Sequence, residues 1–223
     1  MTPYPKSMVR DYFETIAVCV IFVLFSRAFV FQQSKIPTGS MKDTLLIGDY
    51  IMVNKFVYGP AASSWEQALL PMAPLRRGDV VVFKFPQEPE TDYIKRVIGL
   101  PGEEVELVNG VVYIDGVPLA EPYVKHVEPP DRRPADNWGP RVVPPDQYLC
   151  LGDNRDQSAD SRMWGFVPRS FMKGRALLIW YSFEEDPDAY RKTALFQRVA
   201  AIANKIIHFF DDTRWSRMFD VIR

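Results

Sequence analysis

One serine and one lysine have sequence settings that could support hydrolytic chemistry. Ser40 ends the run Pro-Thr-Gly-Ser at 37–40, in which proline fixes the backbone and glycine permits a tight bend. Lys95 lies in a run with strand-like composition, where it shares a face with Tyr93 and Val97. Burial lowers the pKa of a lysine, and the neutral amine can then accept a proton from a serine hydroxyl. Either run alone is more typical of an ordinary turn or a solvent-facing strand.

Other common catalytic centres match the sequence less well. A Ser–His–Asp triad needs a histidine placed as the base, but His126 lies in a proline-rich stretch and His208 in a tail with helical spacing. Cys19 and Cys150 are far apart in sequence, and no paired metal ligands at short spacing accompany them. We therefore expect no metal, and no cofactor is expected. Cys19 lies inside the longest apolar run, and if that run is in a bilayer the two cysteines do not meet, so we expect no disulfide. The net charge of −1 does not indicate a nucleic-acid partner.

A third polar segment, Gly-Asp-Asn-Arg-Asp-Gln-Ser-Ala-Asp-Ser-Arg at 152–162, carries charges of both signs. It is a poor match to a calcium loop, because arginine and glutamine occupy two of the alternating ligand positions. A solvated turn is one interpretation. The interpretation that we favour is a supporting loop, in which aspartate–arginine pairs fix the backbone and serines orient a neighbouring polar group.

An apolar run near the amino terminus predicts a membrane anchor. Residues 16–25 are all apolar, and a helix over 12–31 would be about 30 Å long, enough to span the hydrocarbon core. The alternative is a cleaved signal peptide. Asp11 and Glu14 in the flanking region, and Arg27 inside the Ser-Arg-Ala stretch that resembles a cleavage site, argue against cleavage. Basic residues lie on both sides of the run, so charge alone does not determine the orientation.

Residues 36–188 are predicted to form a mainly β domain, with short Val-, Ile-, Tyr- and Phe-rich runs bounded by Gly, Pro and Asp. Asn109-Gly110 between two such runs predicts a hairpin. Two stretches read as loops, 59–75 with a short helix near its centre and the proline-rich 121–145. The predicted strands are 50–57, 79–85, 93–98, 104–108, 111–114, 147–151 and 176–181.

The remaining residues, 189–223, form a tail of different character, after an anchor region at 1–35 and the β domain. Apolar residues recur there at three- and four-residue spacing, which predicts an amphipathic helix. Two interpretations stay open, a helix packed on the β domain and a helix lying on the membrane surface. The residues of the apolar face are Leu195, Val199, Ile202, Ile206 and Phe209.

Taken together, four segments resemble the conserved boxes of bacterial type I signal peptidases, in the same order. They are Pro-Thr-Gly-Ser-Met at 37–41 with Thr-Leu-Leu-Ile-Gly-Asp at 44–49, Arg-Gly-Asp-Val-Val-Val-Phe at 77–83, the run at 93–102, and the polar segment 152–162. They cover most of residues 36–168. The resemblance implies an antiparallel β domain built around a coiled barrel. Some relatives have two N-terminal spans, and this sequence has room for one transmembrane helix before Ser40.

The resemblance also implies roles for individual residues. Ser40 would be the nucleophile, and Lys95 would be the base and later the acid. The Ser40 N–H and the Thr38 hydroxyl would form the oxyanion hole, although the family often has serine in place of this threonine. Ser158 would hydrogen-bond Lys95. The supporting ion-pair network would comprise Asp160, Arg162 and Arg96, and the apolar substrate pockets would be lined by Ile36, Met41, Leu45, Tyr93 and Ile94.

The implied protein is a single-pass enzyme of the bacterial cytoplasmic membrane, with its N-terminus in the cytoplasm and its catalytic domain on the outer side. Its expected partners are signal-bearing pre-proteins, cleaved after a small-x-small site, and the lipid bilayer. Two alternatives remain. One is another Ser/Lys peptidase of this fold with a dedicated substrate, and the other is a membrane-tethered β module that only binds partners.

Overall fold

The computed structural model describes residues 8–25, 31–55, 74–129, 136–185 and 207–223. Two α-helices and eleven strands are assigned within these ranges. The helices are α1, Met8–Phe25, and α2, Ser161–Trp164. The strands are β1 Phe31–Lys35, β2 Asp49–Asn54, β3 Val80–Phe85, β4 Glu88–Gly99, β5 Glu104–Val108, β6 Val111–Ile114, β7 Val117–Pro118, β8 Trp138–Val142, β9 Gln147–Leu151, β10 Val167–Pro168 and β11 Met172–Ser182.

The strands form two antiparallel sheets. A seven-stranded sheet has the order β1-β2-β11-β3-β4-β9-β10, and a four-stranded sheet has the order β7-β6-β5-β8. The mainly antiparallel β fold predicted from sequence is therefore confirmed. Four strands were not predicted. Strands β7 and β10 have two residues each, β1 lies within the predicted anchor region 1–35, and β8 lies inside the proline-rich stretch 121–145 and pairs with β5. Local composition does not indicate strand β8, because its stability comes from pairing with a strand that is distant in sequence.

Strand β3 shows how the larger sheet is buried on both faces. Its alternating side chains enter two different core clusters, Val80 and Val82 on one face and Val81 and Phe83 on the other. A strand covered on both faces reads as a continuous apolar run, which explains the sequence Val-Val-Val-Phe. The neighbouring β4 pairs with β3 between Glu88 and Arg96.

The predicted hairpin joins β5 to β6. Asn109 and Gly110 both have positive φ, 51° and 82°, as a two-residue turn of the type I′ kind requires. Val108 and Val111 face each other across its first pair. Local turn chemistry fixed this register correctly.

The N-terminal helix α1 presents apolar side chains to solvent on every side. Residues 21–24, which point in four successive directions, are each 60% or more exposed. Among the residues that the structure describes, no helix has both the length and the apolar character needed to cross a bilayer. The predicted span 12–31 includes residues 26–30, which lie outside the described ranges.

Other predictions also fall partly outside the described residues. Most of the predicted loop 59–75 and the predicted tail helix from 189 to 206 lie there. The described end of the tail, 207–223, contains a short 3-10 turn, Trp215–Arg217. It forms one isolated bridge to Leu178 in β11 and one to Phe183, directly after β11. Cys19 on α1 and Cys150 in β9 are both free cysteines.

Candidate active site

Ser40 lies in a single 3-10 turn, Gly39–Met41, that follows the extended residue Thr38. The turn is closed by a hydrogen bond from the Lys42 N–H to the Gly39 carbonyl. Ser40 is only 7% exposed. The turn thus directs the serine side chain towards the sheet.

Lys95 is carried by β4 and reaches the serine from the sheet side. Its Nζ lies 2.7 Å from Ser40 Oγ, and the lysine is 4% exposed. Burial lowers the pKa of Lys95 to about 8, and the nearby Asp160 carboxylate partly opposes this effect. The Tyr93 ring lies 5.6 Å from Nζ, on the face that strand alternation predicts. The pair can therefore exchange a proton near neutral to mildly alkaline pH.

An open cleft of about 370 Å³ lies beside this pair. Residues 88–95 of β4 pair with β3 on one side, whereas pairing with β9 on the other side begins only at Arg96. Along the cleft, β4 thus has an edge that is not paired with another strand among the described residues. The cleft is lined by Pro37, Thr38, Ser40, Thr91, Asp92, Tyr93, Ile94, Lys95, Gln157 and Ala159.

The turn that carries Ser40 is clamped by Asn154, which is fully buried. The Asn154 N–H donates to the Ser40 carbonyl at 3.1 Å, and its Nδ2 donates to the Gly39 carbonyl at 3.0 Å. Both carbonyls are thereby fixed on the Asn154 side of the turn. Sequence reasoning missed this residue, because a short polar side chain in a polar loop gives no indication of its distant partner.

The supporting ion pairs differ from the expected single network. Arg96 binds Asp153, with Nε–Oδ1 and Nη2–Oδ2 distances of 2.9 and 2.6 Å. Asp160 instead pairs with Arg162, with Nη2–Oδ2 at 2.8 Å, and accepts the Gly152 N–H at 3.1 Å. Asp153 and Asp160 therefore belong to two separate ion pairs. Asp153 was not assigned a role from sequence.

The expected hydrogen bond from Ser158 to Lys95 is not formed. Ser158 Oγ is buried and makes no hydrogen bond with any residue that the structure describes. It occupies the space beside Gly152, where a Cβ would lie 2.2 Å from Ser158 Oγ and 2.6 Å from the Ser40 carbonyl oxygen. Glycine at 152 is therefore what lets the loop approach the serine turn so closely.

Three of the residues expected to line the substrate pockets lie elsewhere. Ile36, Met41 and Leu45 are 2%, 0% and 0% exposed and belong to a core cluster. Their apolar side chains are covered by the sheet, so they support the serine turn from within. Tyr93 and Ile94 do line the cleft, as does Thr38.

One cluster of potential metal ligands is present among the described residues, formed by His126, Asp136 and Asp156. Their ligand atoms lie within 4.8 Å of one another. Burial of Asp156 disfavours its charge, but hydrogen bonds from the Glu128 N–H, the His126 ring and the Val127 N–H outweigh this and lower its pKa. The Asp156 carboxylate is thus already occupied by protein donors.

The family model described as "Signal peptidase, peptidase S26" matches residues 9–181. A signal peptidase I of Leptolyngbya laminosa is 40% identical over 183 residues, covering 79% of this chain and 81% of the relative. A signal peptidase I of Pseudomonas aeruginosa is 33% identical over 216 residues, covering 81% and 75%. A crystal structure of a signal peptidase I from Enterococcus faecalis V583 matches with 33% identity and a TM-score of 0.39, covering 46% of this chain and 97% of that one.

Proposed function

This chain belongs to the signal peptidase I enzymes of peptidase family S26, which are serine endopeptidases, and we propose that Ser40 is its nucleophile and Lys95 its general base. The observation that carries the proposal is the 2.7 Å contact between Lys95 Nζ and Ser40 Oγ. The two residues are separated by 55 positions, and both are nearly excluded from solvent. A neutral amine within hydrogen-bond distance of a hydroxyl is the geometry that general-base activation requires.

The reaction proceeds in two stages. Neutral Lys95 accepts the Ser40 proton as Oγ attacks the scissile carbonyl, and the oxyanion is held by the Ser40 N–H and the Thr38 hydroxyl. In other hydrolases one such donor contributes about 3 kcal/mol to transition-state stabilisation. Protonated Lys95 then gives its proton to the departing amine. Water, deprotonated by the same lysine, releases the acyl group from Ser40.

The substrate is a signal-bearing pre-protein that binds in extended conformation along β4. The unpaired edge of β4 beside Tyr93 and Ile94 supports this mode, because its backbone groups are free to pair with an added strand. The scissile bond would then lie next to Ser40. A shallow cleft selects small side chains, which fits cleavage after a small-x-small site.

Helix α1 serves as a single membrane anchor in the bacterial cytoplasmic membrane, ahead of strand β1, which begins at Phe31. The 18 residues of α1 span about 27 Å, and its exposed side chains are mainly apolar. A helix that is apolar on every side is stabilised when lipid surrounds it. The N-terminus is cytoplasmic and the catalytic domain lies on the outer side, where signal peptides emerge.

The test uses the full chain in detergent with a signal-bearing precursor that carries an Ala-x-Ala site. Wild type should release the signal peptide, and Ser40→Ala should not, while its circular dichroism spectrum stays that of a folded β protein. A serine-directed acylating inhibitor should label Ser40. Cleavage by Ser40→Ala would disprove the assigned nucleophile. A peptidase with a dedicated substrate would leave general precursors intact, and a binding module would show no labelling.

A further inference from the structure

The C-terminal segment, residues 213–223, docks onto strand β11 where that strand is irregular. β11 shifts register against β2 between Ala176 and Leu178 and again between Ile179 and Tyr181. Pairing of β11 with β3 ends at Arg175, so beyond that residue the backbone groups of β11 that do not bond to β2 are available, and the segment uses them. The Ile222 N–H donates to the Leu177 carbonyl at 2.9 Å, and the Ile179 N–H donates to the Asp220 carbonyl at 2.9 Å.

Arginine side chains of the C-terminal segment hold the chain that follows Ser40. Arg217 Nη2 donates to the Thr44 carbonyl at 3.1 Å and to Asp49 Oδ2 at 2.7 Å. Arg214 Nη1 donates to the Ile47 carbonyl at 3.0 Å. Asp49 is fully buried, so its ion pair with Arg217 is shielded from water on the carboxylate side. Residues 44–49 are thus fixed at three points by one short segment.

The end of the C-terminal segment reaches both halves of the catalytic pair. Ile222 is 6% exposed and belongs to the core cluster that contains Met41, the residue directly after Ser40. The Arg223 carbonyl accepts a hydrogen bond of 2.9 Å from Arg96 Nη1. Arg96 directly follows Lys95 on β4. One stretch of chain therefore contacts the support of the nucleophile and the support of the base.

We propose that the C-terminal segment is a positioning element for the active site, with Arg217 and Ile222 as positioning residues that set the distance between Ser40 and Lys95. The inference rests on the proposed function of those two residues. Ser40 is held on a short turn whose distal side is anchored by the segment. A displacement of about 1 Å between reacting groups can reduce a rate about a hundredfold, so loss of these anchors reduces turnover more than substrate binding.

The experiment compares matched substitutions in the full-length chain. Arg217→Ala is paired with Arg141→Ala, which removes an exposed arginine from the smaller sheet. Ile222→Ala is paired with Val221→Ala, its neighbour, which is 64% exposed. We expect Arg217→Ala and Ile222→Ala to lower kcat about ten- to a hundredfold with KM changed less than threefold. The two controls should stay within twofold of wild type.

Two further measurements separate positioning from loss of folding. All variants are assayed well below their Tm, where near-UV circular dichroism shows native packing. Arg217→Lys should recover part of the lost kcat. A lysine can still pair with Asp49, but it lacks the planar guanidinium that lets arginine also bond the Thr44 carbonyl. The rate of Ser40 acylation by a small serine-directed inhibitor should fall in parallel with kcat, since that inhibitor does not depend on the extended substrate site.

The outcomes distinguish this inference from the proposed function. Normal kcat and normal acylation in Arg217→Ala and Ile222→Ala, with only a lowered Tm, would show that the segment is merely structural. A rise in KM at unchanged kcat would likewise overturn the inference. Failure of wild type to acylate at Ser40 would instead overturn the proposed function itself.

Discussion

Arg96 and Asp153 form an ion pair with two hydrogen bonds, and their side chains are only 1% exposed. Arg96 directly follows Lys95 in sequence. Strand alternation places Arg96 on the opposite face of β4 from the base, so the pair lies behind the strand. Thr44 Oγ1 also donates to Asp153, at 2.6 Å. The pair thus connects β4, the polar loop and the chain after Ser40.

Removing one residue of this buried ion pair should lower the free energy of unfolding more than removing one residue of a partly exposed ion pair. We expect Asp153→Ala to lower the free energy of unfolding by about 3 to 5 kcal/mol, because the Arg96 charge is left buried without its partner. Lys173→Ala, which breaks the partly exposed pair with Asp92, should cost less than about 1 kcal/mol. Urea unfolding of the full chain measures both. Equal losses in the two variants would contradict the prediction.

The pH dependence of cleavage should follow the protonation state of Lys95, the proposed base. With the pKa of Lys95 lowered to about 8, the neutral fraction increases through mildly alkaline pH. When chemistry limits the rate, kcat should therefore rise about tenfold per pH unit below pH 8 and level off above it. Stopped assays with an Ala-x-Ala precursor across this range measure the profile. A flat profile from pH 6 to 10, with chemistry limiting, would exclude a titrating lysine.

The stability of the fold should depend on pH through the same lysine. The unfolded chain holds this proton up to about pH 10.5, whereas the folded chain loses it near pH 8. Between these values the unfolded state binds more protons, so stability rises with pH relative to Lys95→Met, which has no titrating group. The shift corresponds to a relative gain of about 3 kcal/mol. Chemical denaturation of both proteins at pH 7.5 and 10.5 tests this, and a constant difference would contradict it.

Gly152 should tolerate no side chain. In Gly152→Ala the new Cβ would meet Ser158 Oγ and the Ser40 carbonyl, so the polar loop or the serine turn must shift. We expect at least a tenfold loss of kcat, since such a shift disturbs the Ser40–Lys95 distance. Adding Ser158→Gly should restore only part of the activity, because the contact with the Ser40 backbone remains.

Gly39→Ala provides a matched stability control for that variant. A Cβ at position 39 meets no atom within 4 Å, and the backbone there needs no left-handed conformation. Its Tm should stay close to wild type while that of Gly152→Ala falls. A Gly152→Ala enzyme with wild-type Tm and kcat would show that the loop adjusts freely.

Local patterns predicted most of the sheet. Strands β5, β6 and β9 have the predicted bounds, since alternation and turn residues are encoded within a few neighbouring positions. Strand β8 and the docking of residues 213–223 were not predicted. Both depend on backbone pairing with strands that are distant in sequence, and the sequence of a short segment does not indicate which strand it pairs with.

The sequence by itself determined the motifs, their order and the face of β4 that carries Lys95, because residue types and a two-residue period are local properties. Only the tertiary structure decided which charges pair and which side chains reach the cleft. Arg96 pairs with Asp153 and not with Asp160, and Met41 supports the serine turn from the core. Such choices depend on where loops bring distant atoms to within a few ångströms, which spacing along the chain does not encode.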